Sequence, residues 1–350
     1  MAINPDKLNE FVGKAVGDLG ATLGAALVVI GDKLGLYKAM KGGPVTSEEL
    51  AKKTSTAERY VREWLAAQAA AGYVSYDAKA ARYFLSDEQA ECLTNEDSPA
   101  CVLGGFQAMI SAVKTSPKVM DAFRSGKGVG WHEHDPDLFQ GTERFFRPGY
   151  NMHLVAEWIP ALEGVEAKLK AGAVVADVGC GHGASTIIMA KAYPQSKFRG
   201  FDYHKPSIDA ASQRAKEAGV EDRVSFSVAS AKDYPGTYDL VAFFDCLHDM
   251  GDPVGASAHV KQTLKPDGTW LLVEPFAKDK VEDNLNPIGR IFYSASTLIC
   301  CPASLSQEVG AALGAQSGEA RMRQVMEKAG FTRFRRATQT PFNLIYEIRP

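Results

Sequence analysis

The segment Val174-Val175-Ala176-Asp177-Val178-Gly179-Cys180-Gly181-His182-Gly183-Ala184-Ser185 constrains the fold more than any other part of the chain. An apolar run that breaks into alternating glycines is a buried strand driven into a tight turn, and a helix begins near Ser185. Gly179 and Gly181 let the backbone turn sharply and approach a ligand closely, where any side chain would intrude. Nineteen residues after Gly183, Asp202 closes the next apolar run in Phe201-Asp202-Tyr203. A carboxylate there can accept both hydroxyl protons of a ribose. Turn and acid together predict an adenosine-containing ligand at the carboxyl edge of a sheet.

The surrounding pattern supports such a sheet. Short apolar runs at 174–178, 198–201, 224–228, 240–244 and 270–273 alternate with helical stretches, the signature of parallel strands covered on both faces. The runs 331–337 and 343–348, separated by Thr-Gln-Thr-Pro, read as a terminal antiparallel pair. The expected architecture is an α/β, Rossmann-like, doubly wound seven-stranded sheet with a C-terminal antiparallel hairpin.

The N-terminal third reads differently. Leu19, Leu23, Leu27 and Ile30 recur at helical spacing, and Thr46 with Glu49 has the spacing of a capping box. Tyr60, Val61, Trp64, Leu65 and Gln68 mark another helix. Tyr73–Tyr76 and Arg82–Leu85 then form a hairpin, which completes a mostly helical, winged-helix-like unit. Its charge argues against nucleic acid: residues 1–100 hold 8 Lys and 3 Arg against 14 Asp and Glu. Phosphate neutralisation needs a surplus of cations on one face. The predicted domains are a winged-helix-like dimerisation domain at 1–97, a helical linker and substrate lid at 98–171, and a cofactor-binding domain at 172–350. Within the linker, 126–150 is expected to be a long functional loop, and a helix is expected from about Pro148 to Leu162.

Composition sets bounds. A chain of 350 residues suggests two folding units, and a net charge of -3 gives no general attraction to nucleic acid or anionic membrane. The six cysteines show no metal-ligand spacing with histidine, which favours a reducing, cytoplasmic setting. His132 and His134 read as solvated loop residues, Cys300-Cys301 as a buried small-residue pair, and no metal is expected. The N-terminus lacks the pattern of an export signal. The apolar stretch 19–30 falls short of the roughly 20 residues that span a bilayer, so a core or dimer helix is expected rather than a membrane contact.

The segments VVADVGCGHGAS, FRGFDYH, YDLVAFFDCLHDMGD and LKPDGTWLLVEP, followed by Glu-Lys-Ala-Gly-Phe and the last two strands, resemble class I methyltransferases that use S-adenosylmethionine. The two-part layout is similar to that of small-molecule O-methyltransferases with a winged-helix-like N-terminal domain. The resemblance implies that Asp177, Gly179 and Gly181 face the methionine part of the cofactor, Asp202 its ribose and Tyr203 the adenine edge. An acidic residue often ends the third strand in that family. Here Ser230 and Ala231 stand in that region, and Ser230 alone can form a hydrogen bond. Phe244 and Asp245 would complete the cofactor site. His248-Asp249 matches the pair whose histidine is the general base, with Glu274 and Glu319 at the places of its two orienting carboxylates. Phe146, Tyr150, His153, Phe292 and Tyr293 would line the acceptor pocket. The expected enzyme is a homodimer that methylates a hydroxyl of a small molecule and releases S-adenosylhomocysteine. N-, S- or C-methylation by proximity, a cofactor-sensing winged-helix regulator and a nicotinamide oxidoreductase are the alternatives.

Overall fold

A computed structural model describes residues 3–350. They divide into two compact units, one running to Ile110 and including Gln140–Pro148, the other comprising Ser111–Phe139 and Gly149–Pro350. The segment 98–171 is therefore shared between the units and forms no third one.

The first unit begins with a continuous 29-residue helix, Pro5–Lys33, whose first turn is capped by the Asn4 side chain. At 1.5 Å per residue it is about 44 Å long. By length and composition this helix, like Pro287–Leu305, is long and apolar enough to cross a membrane. That corrects the shorter sequence estimate: the glycines in the run do not interrupt the helix. Its apolar residues divide. Val28 is buried and Leu27 packs on the same core, while Leu19 and Leu23 are 68% and 73% exposed in the single chain. Gly31 permits the packing, because a Cβ there would lie 2.4 Å from Trp64 Cζ2. Thr46 and Glu49 form the expected capping box on helix Ser47–Thr54. The wing is β1 (Ser75–Asp77) against β2 (Arg82–Phe84). Arg144 is held by Asp32 at 2.8 Å, Gln107 at 2.6 Å and Glu96 at 3.1 Å, so its charge is well compensated inside the unit.

The second unit contains β3 (Val174–Val178), β4 (Lys197–Asp202), β5 (Val224–Val228), β6 (Tyr238–Phe244), β7 (Leu264–Pro275), β8 (Arg333–Gln339) and β9 (Asn343–Arg349). Their order in the sheet is β5-β4-β3-β6-β7-β9-β8, and β9 is antiparallel to both of its neighbours. The chain leaves β3 toward one edge and returns to β6 on the other side, so the crevice beyond β3 and β6 is the topological switch point where such sheets bind ligands.

The segment expected to be a loop is largely helical. A short turn at Trp131–Glu133 precedes helix Asp137–His153, which runs through Pro148 and continues as a π-helical turn, Leu154–Trp158. Pro148 was expected to start a helix; within one, it removes a single donor. Gly141, inside this helix, is a packing contact, because a Cβ there would lie 2.5 Å from the Ala108 backbone nitrogen. His134 is buried rather than solvated and bonds Thr115 Oγ1 at 3.0 Å.

Candidate active site at the switch point

The loop after β3 is shaped by Gly179, Gly181 and Gly183, with φ of 73°, 52° and 76°. Side-chain-bearing residues rarely adopt that conformation. A Cβ on Gly179 would also lie 2.7 Å from Cys246 Sγ, whereas one on Gly181 would point into open space. The loop is thus tight against the protein on one side and open on the other. Asp202 ties it down: its Oδ2 accepts the Gly181 N–H at 3.0 Å and its Oδ1 the His204 N–H at 2.8 Å. Burial raises the Asp202 pKa against the pull of these backbone donors. Tyr203 beside it is half exposed.

Asp177 is buried at the end of β3. Its Oδ2 accepts hydroxyls from Ser185 and Thr186, each at 2.6 Å, while Oδ1 has no partner. Burial, opposed by those hydroxyls, pushes its pKa up to about 6. A buried carboxylate oxygen with unused acceptor capacity, beside a loop open to a ligand, is suited to a cationic ligand group. Past β5, Ser230 accepts the Lys232 N–H at 3.0 Å through its hydroxyl, and Ala231 packs on the core.

The other wall follows β6. Phe244 is buried, its ring 5.3 Å from that of Tyr150. Asp245 has φ of 51°, an uncommon backbone conformation for a residue with a side chain. It is fixed there by the Tyr150 hydroxyl at 3.1 Å and the Asn343 amide at 2.8 Å. Burial first, and then the Glu274 charge, pushes Asp245 up to about 8. The turn Leu247–Asp249 then presents His248. Its Nδ1 is 2.5 Å from Glu274 Oε2, and Glu274 Oε1 also accepts the Leu247 N–H at 3.1 Å. On the opposite side, Nε2 lies 3.1 Å from Asp249 Oδ1. Burial alone would depress the imidazole pKa; Asp249 and Glu274 overcome it and raise the group well above its ordinary value.

Glu274 therefore reaches His248 as expected, and Glu319 does not. The Glu319 carboxylate is held by Arg323 at 3.2 Å and by Arg336 at 2.7 Å, and the second carboxylate at the imidazole is Asp249. Of the expected acceptor-pocket residues, Tyr150 joins the site through Asp245. His153 stacks on Trp158 and pairs with Glu157 at 3.0 Å. Phe292 is buried and Tyr293 partly so on helix Pro287–Ala295, and Phe146, in the first unit, meets Phe145 edge-on. Three participants carried no sequence signal. Trp131 donates its indole N–H to Asp249 Oδ2 at 3.0 Å, Asn343 holds Asp245, and the buried Cys300 lies against His248 and Asp249. Their contacts depend on long-range folding, which local spacing does not encode.

Residues 169–330 match the family model described as a methyltransferase domain, and residues 21–95 match that of the Rv2258c-like winged HTH domain. Over 107 residues the chain is 33% identical to the 27-O-demethylrifamycin SV methyltransferase of Amycolatopsis mediterranei, which is 30% of this chain and 39% of that protein. Over 135 residues it is 32% identical to the ubiquinone biosynthesis O-methyltransferase of Leptothrix cholodnii, 37% of this chain and 54% of that protein. The chain thus matches only about half or less of these relatives' length. Among solved structures, the mitomycin 7-O-methyltransferase MmcR superposes with a TM-score of 0.72 at 19% identity, covering 99% of this chain and 100% of that one. Human N-acetylserotonin methyltransferase in complex with SAM gives 0.72 at 16% identity, covering 100% and 99%. The fold is shared along the whole chain, and the chain carries a methyltransferase domain together with an N-terminal winged helix-turn-helix domain.

Proposed function

We propose that the protein transfers the methyl group of S-adenosylmethionine to a hydroxyl of a small molecule and releases S-adenosylhomocysteine. The carrying observation is the juxtaposition, at one switch point, of a glycine loop tied to Asp202 and a histidine clamped at the end of β6. The residues fit the cofactor: Asp177 Oδ1 is a buried acceptor without a partner, suited to the methionine ammonium, and Asp202 stands where ribose hydroxyls would be recognised. When bound, the cofactor supplies an activated methyl group on a good leaving group. Asp202 and the glycine loop bind and orient, Tyr203 flanks the adenine side, and Phe244 with Tyr150 excludes water. Glu274 fixes the imidazole ring, so that Nε2 is the nitrogen positioned to remove the acceptor proton.

His248→Ala should leave cofactor binding intact by calorimetry and slow transfer roughly a hundredfold or more, the usual size of a general-base contribution. Normal turnover with a neutral hydroxyl acceptor would make His248 structural. Methylation of nitrogen, sulfur or carbon by proximity alone would then be favoured.

The winged HTH match raises a regulatory reading. Its recognition-type helix, Glu58–Ala70, argues for a structural role instead, because Arg59 pairs with Glu63 at 2.6 Å and Arg62 with Glu58 at 2.7 Å. Cations already paired with carboxylates offer little to a phosphate backbone. The exposed Leu19 and Leu23 on helix Pro5–Lys33 support a homodimer formed through this helix, since so long an apolar face calls for cover. Light scattering at micromolar concentration should give the mass of two chains; a monomer would reject that assembly.

A further inference from the structure

The surroundings of His248 contain more than a base requires. Its Nδ1 is committed to Glu274 at 2.5 Å, leaving Nε2 as the free lone pair when the ring is neutral. Nε2 lies 3.1 Å from Asp249 Oδ1, and a ring nitrogen of His248, a carboxylate oxygen of Asp249 and the thiol of Cys300 lie within 4.8 Å of one another. All three residues are buried. Asp249 uses Oδ2 to accept the Trp131 indole N–H, while Oδ1 is buried without a well-directed hydrogen bond. Cys300 closes a π-helical turn, Ser296–Cys300, an irregularity often found at functional sites. Asp245, Asp249 and Glu274 place three carboxyl groups around one imidazole, and His248 is the one cationic partner of Asp249 and Glu274 among the described residues.

We propose that His248 Nε2, the Asp249 carboxylate and the Cys300 sulfur form a three-ligand site for a zinc ion, with a further coordination position left open. Nitrogen, oxygen and sulfur donors in a three-ligand set suit zinc, and three protein ligands with an open position characterise its catalytic sites. The Glu274–His248 contact is the arrangement in which a carboxylate fixes a metal-ligating imidazole from its far nitrogen, and the Trp131–Asp249 bond orients the second ligand in the same way. In the metal-free protein Nδ1 stays with Glu274 and Nε2 lies beside Asp249. Zinc takes the Nε2 lone pair and displaces the thiol proton, with any proton shared between Nε2 and Asp249, to solvent. The ion also offsets the excess of buried carboxylates. Zinc on Nε2 occupies the lone pair that proton abstraction uses, so it inhibits methyl transfer; this consequence rests on His248 acting as the base proposed above.

The test uses full-length protein freed of metal by dialysis against a chelator and titrated with Co²⁺, a spectroscopic substitute for zinc. Uptake of one equivalent is expected, with a thiolate-to-cobalt absorption in the near ultraviolet and the visible bands of four-coordinate cobalt, and Zn²⁺ should displace both. Cys300→Ser should abolish the near-ultraviolet absorption, and Glu274→Gln should weaken metal binding roughly 10–100-fold. Absence of stoichiometric Co²⁺ uptake by the parent protein, or a thiolate band that survives Cys300→Ser, overturns the site. Saturating Zn²⁺ should slow transfer to the level of His248→Ala and a chelator should restore it; bound zinc with undiminished turnover overturns the competition. Normal turnover by His248→Ala rejects the base alone, whatever the cobalt titration shows.

Discussion

On the β3–β4 side of the crevice, contacts are short in sequence: Asp202 reaches Gly181 across 21 residues, and Asp177 reaches Ser185 and Thr186 across 8 and 9. On the β6–β7 side they are long: Trp131 reaches Asp249 across 118 residues, Tyr150 reaches Asp245 across 95, and Asn343 reaches the same carboxylate across 98. The first wall is set mainly by backbone turns and two strand-end carboxylates, Asp177 and Asp202. The second is an interlocked group of buried side chains that exists only when distant segments have docked. A cofactor of fixed shape can be served by the first kind of wall. The second can be altered by changing side chains on several segments without disturbing the cofactor loop, which is how one domain can be adapted to different acceptors.

The contrast predicts where damage will appear. Glu274→Ala should have the largest effect on stability, about 3–5 kcal/mol, because it leaves the buried His248 without its closest partner and the Leu247 N–H unsatisfied. Urea denaturation measures this, and a loss below about 1 kcal/mol would mean the second wall is less interlocked than its contacts suggest. Asp202→Ala should act mainly on binding, weakening S-adenosylhomocysteine by about 1.5–3 kcal/mol. If calorimetry finds unchanged affinity, Asp202 serves only to brace Gly181 and the distinction between the walls fails.

The smallest effect is a pH dependence at Asp177. Burial sets its pKa in the folded, ligand-free protein at about 6, above the ordinary carboxylate value. Ionised Asp177 therefore costs the fold stability above that pH, and the cost fades as pH falls through it. Cofactor binding should change in the opposite sense, because the methionine ammonium favours the carboxylate. Affinity should fall roughly tenfold between pH 7 and pH 5, and Asp177→Asn should flatten that dependence. An equal slope in the variant would transfer the effect to another group.

The same division explains what could be read from the sequence. Strands β3 and β5 agree with their apolar runs residue for residue, the capping box at Thr46 is where local chemistry places it, and the terminal hairpin forms with its first strand shifted two residues on, taking in Thr338 and Gln339 of the expected turn. Gly179, Gly181 and Asp202 were legible for the same reason, since a turn of positive φ and a strand-end acid are local requirements. Helix Asp137–His153 was not, because Gly141 and Pro148 usually break helices, and close packing at Ala108 outweighs that preference. Glu319 misled for a related reason. Its position allows an orienting role, but Arg323 and Arg336 decide where its carboxylate points.

The π turn at Ser296–Cys300 carries one more consequence, for insertions and deletions. It inserts about one extra residue into an otherwise continuous helix, so Phe292 and Cys300, eight positions apart, are phased more like residues seven apart, about two full turns. Both are buried. Beyond the turn, the helix is fastened by Ser304 to the Met250 carbonyl at 2.8 Å and by Pro302, whose carbonyl accepts the Val129 N–H at 2.9 Å. Straightening this turn into regular helix with all its residues kept would rotate Phe292 by about 100° relative to the fastened half, whereas removing one residue from 296–299 would give a more regular helix with the two halves still in phase. The reading frame of this helix, more than its composition, thus decides whether its aromatic face and its thiol are presented together.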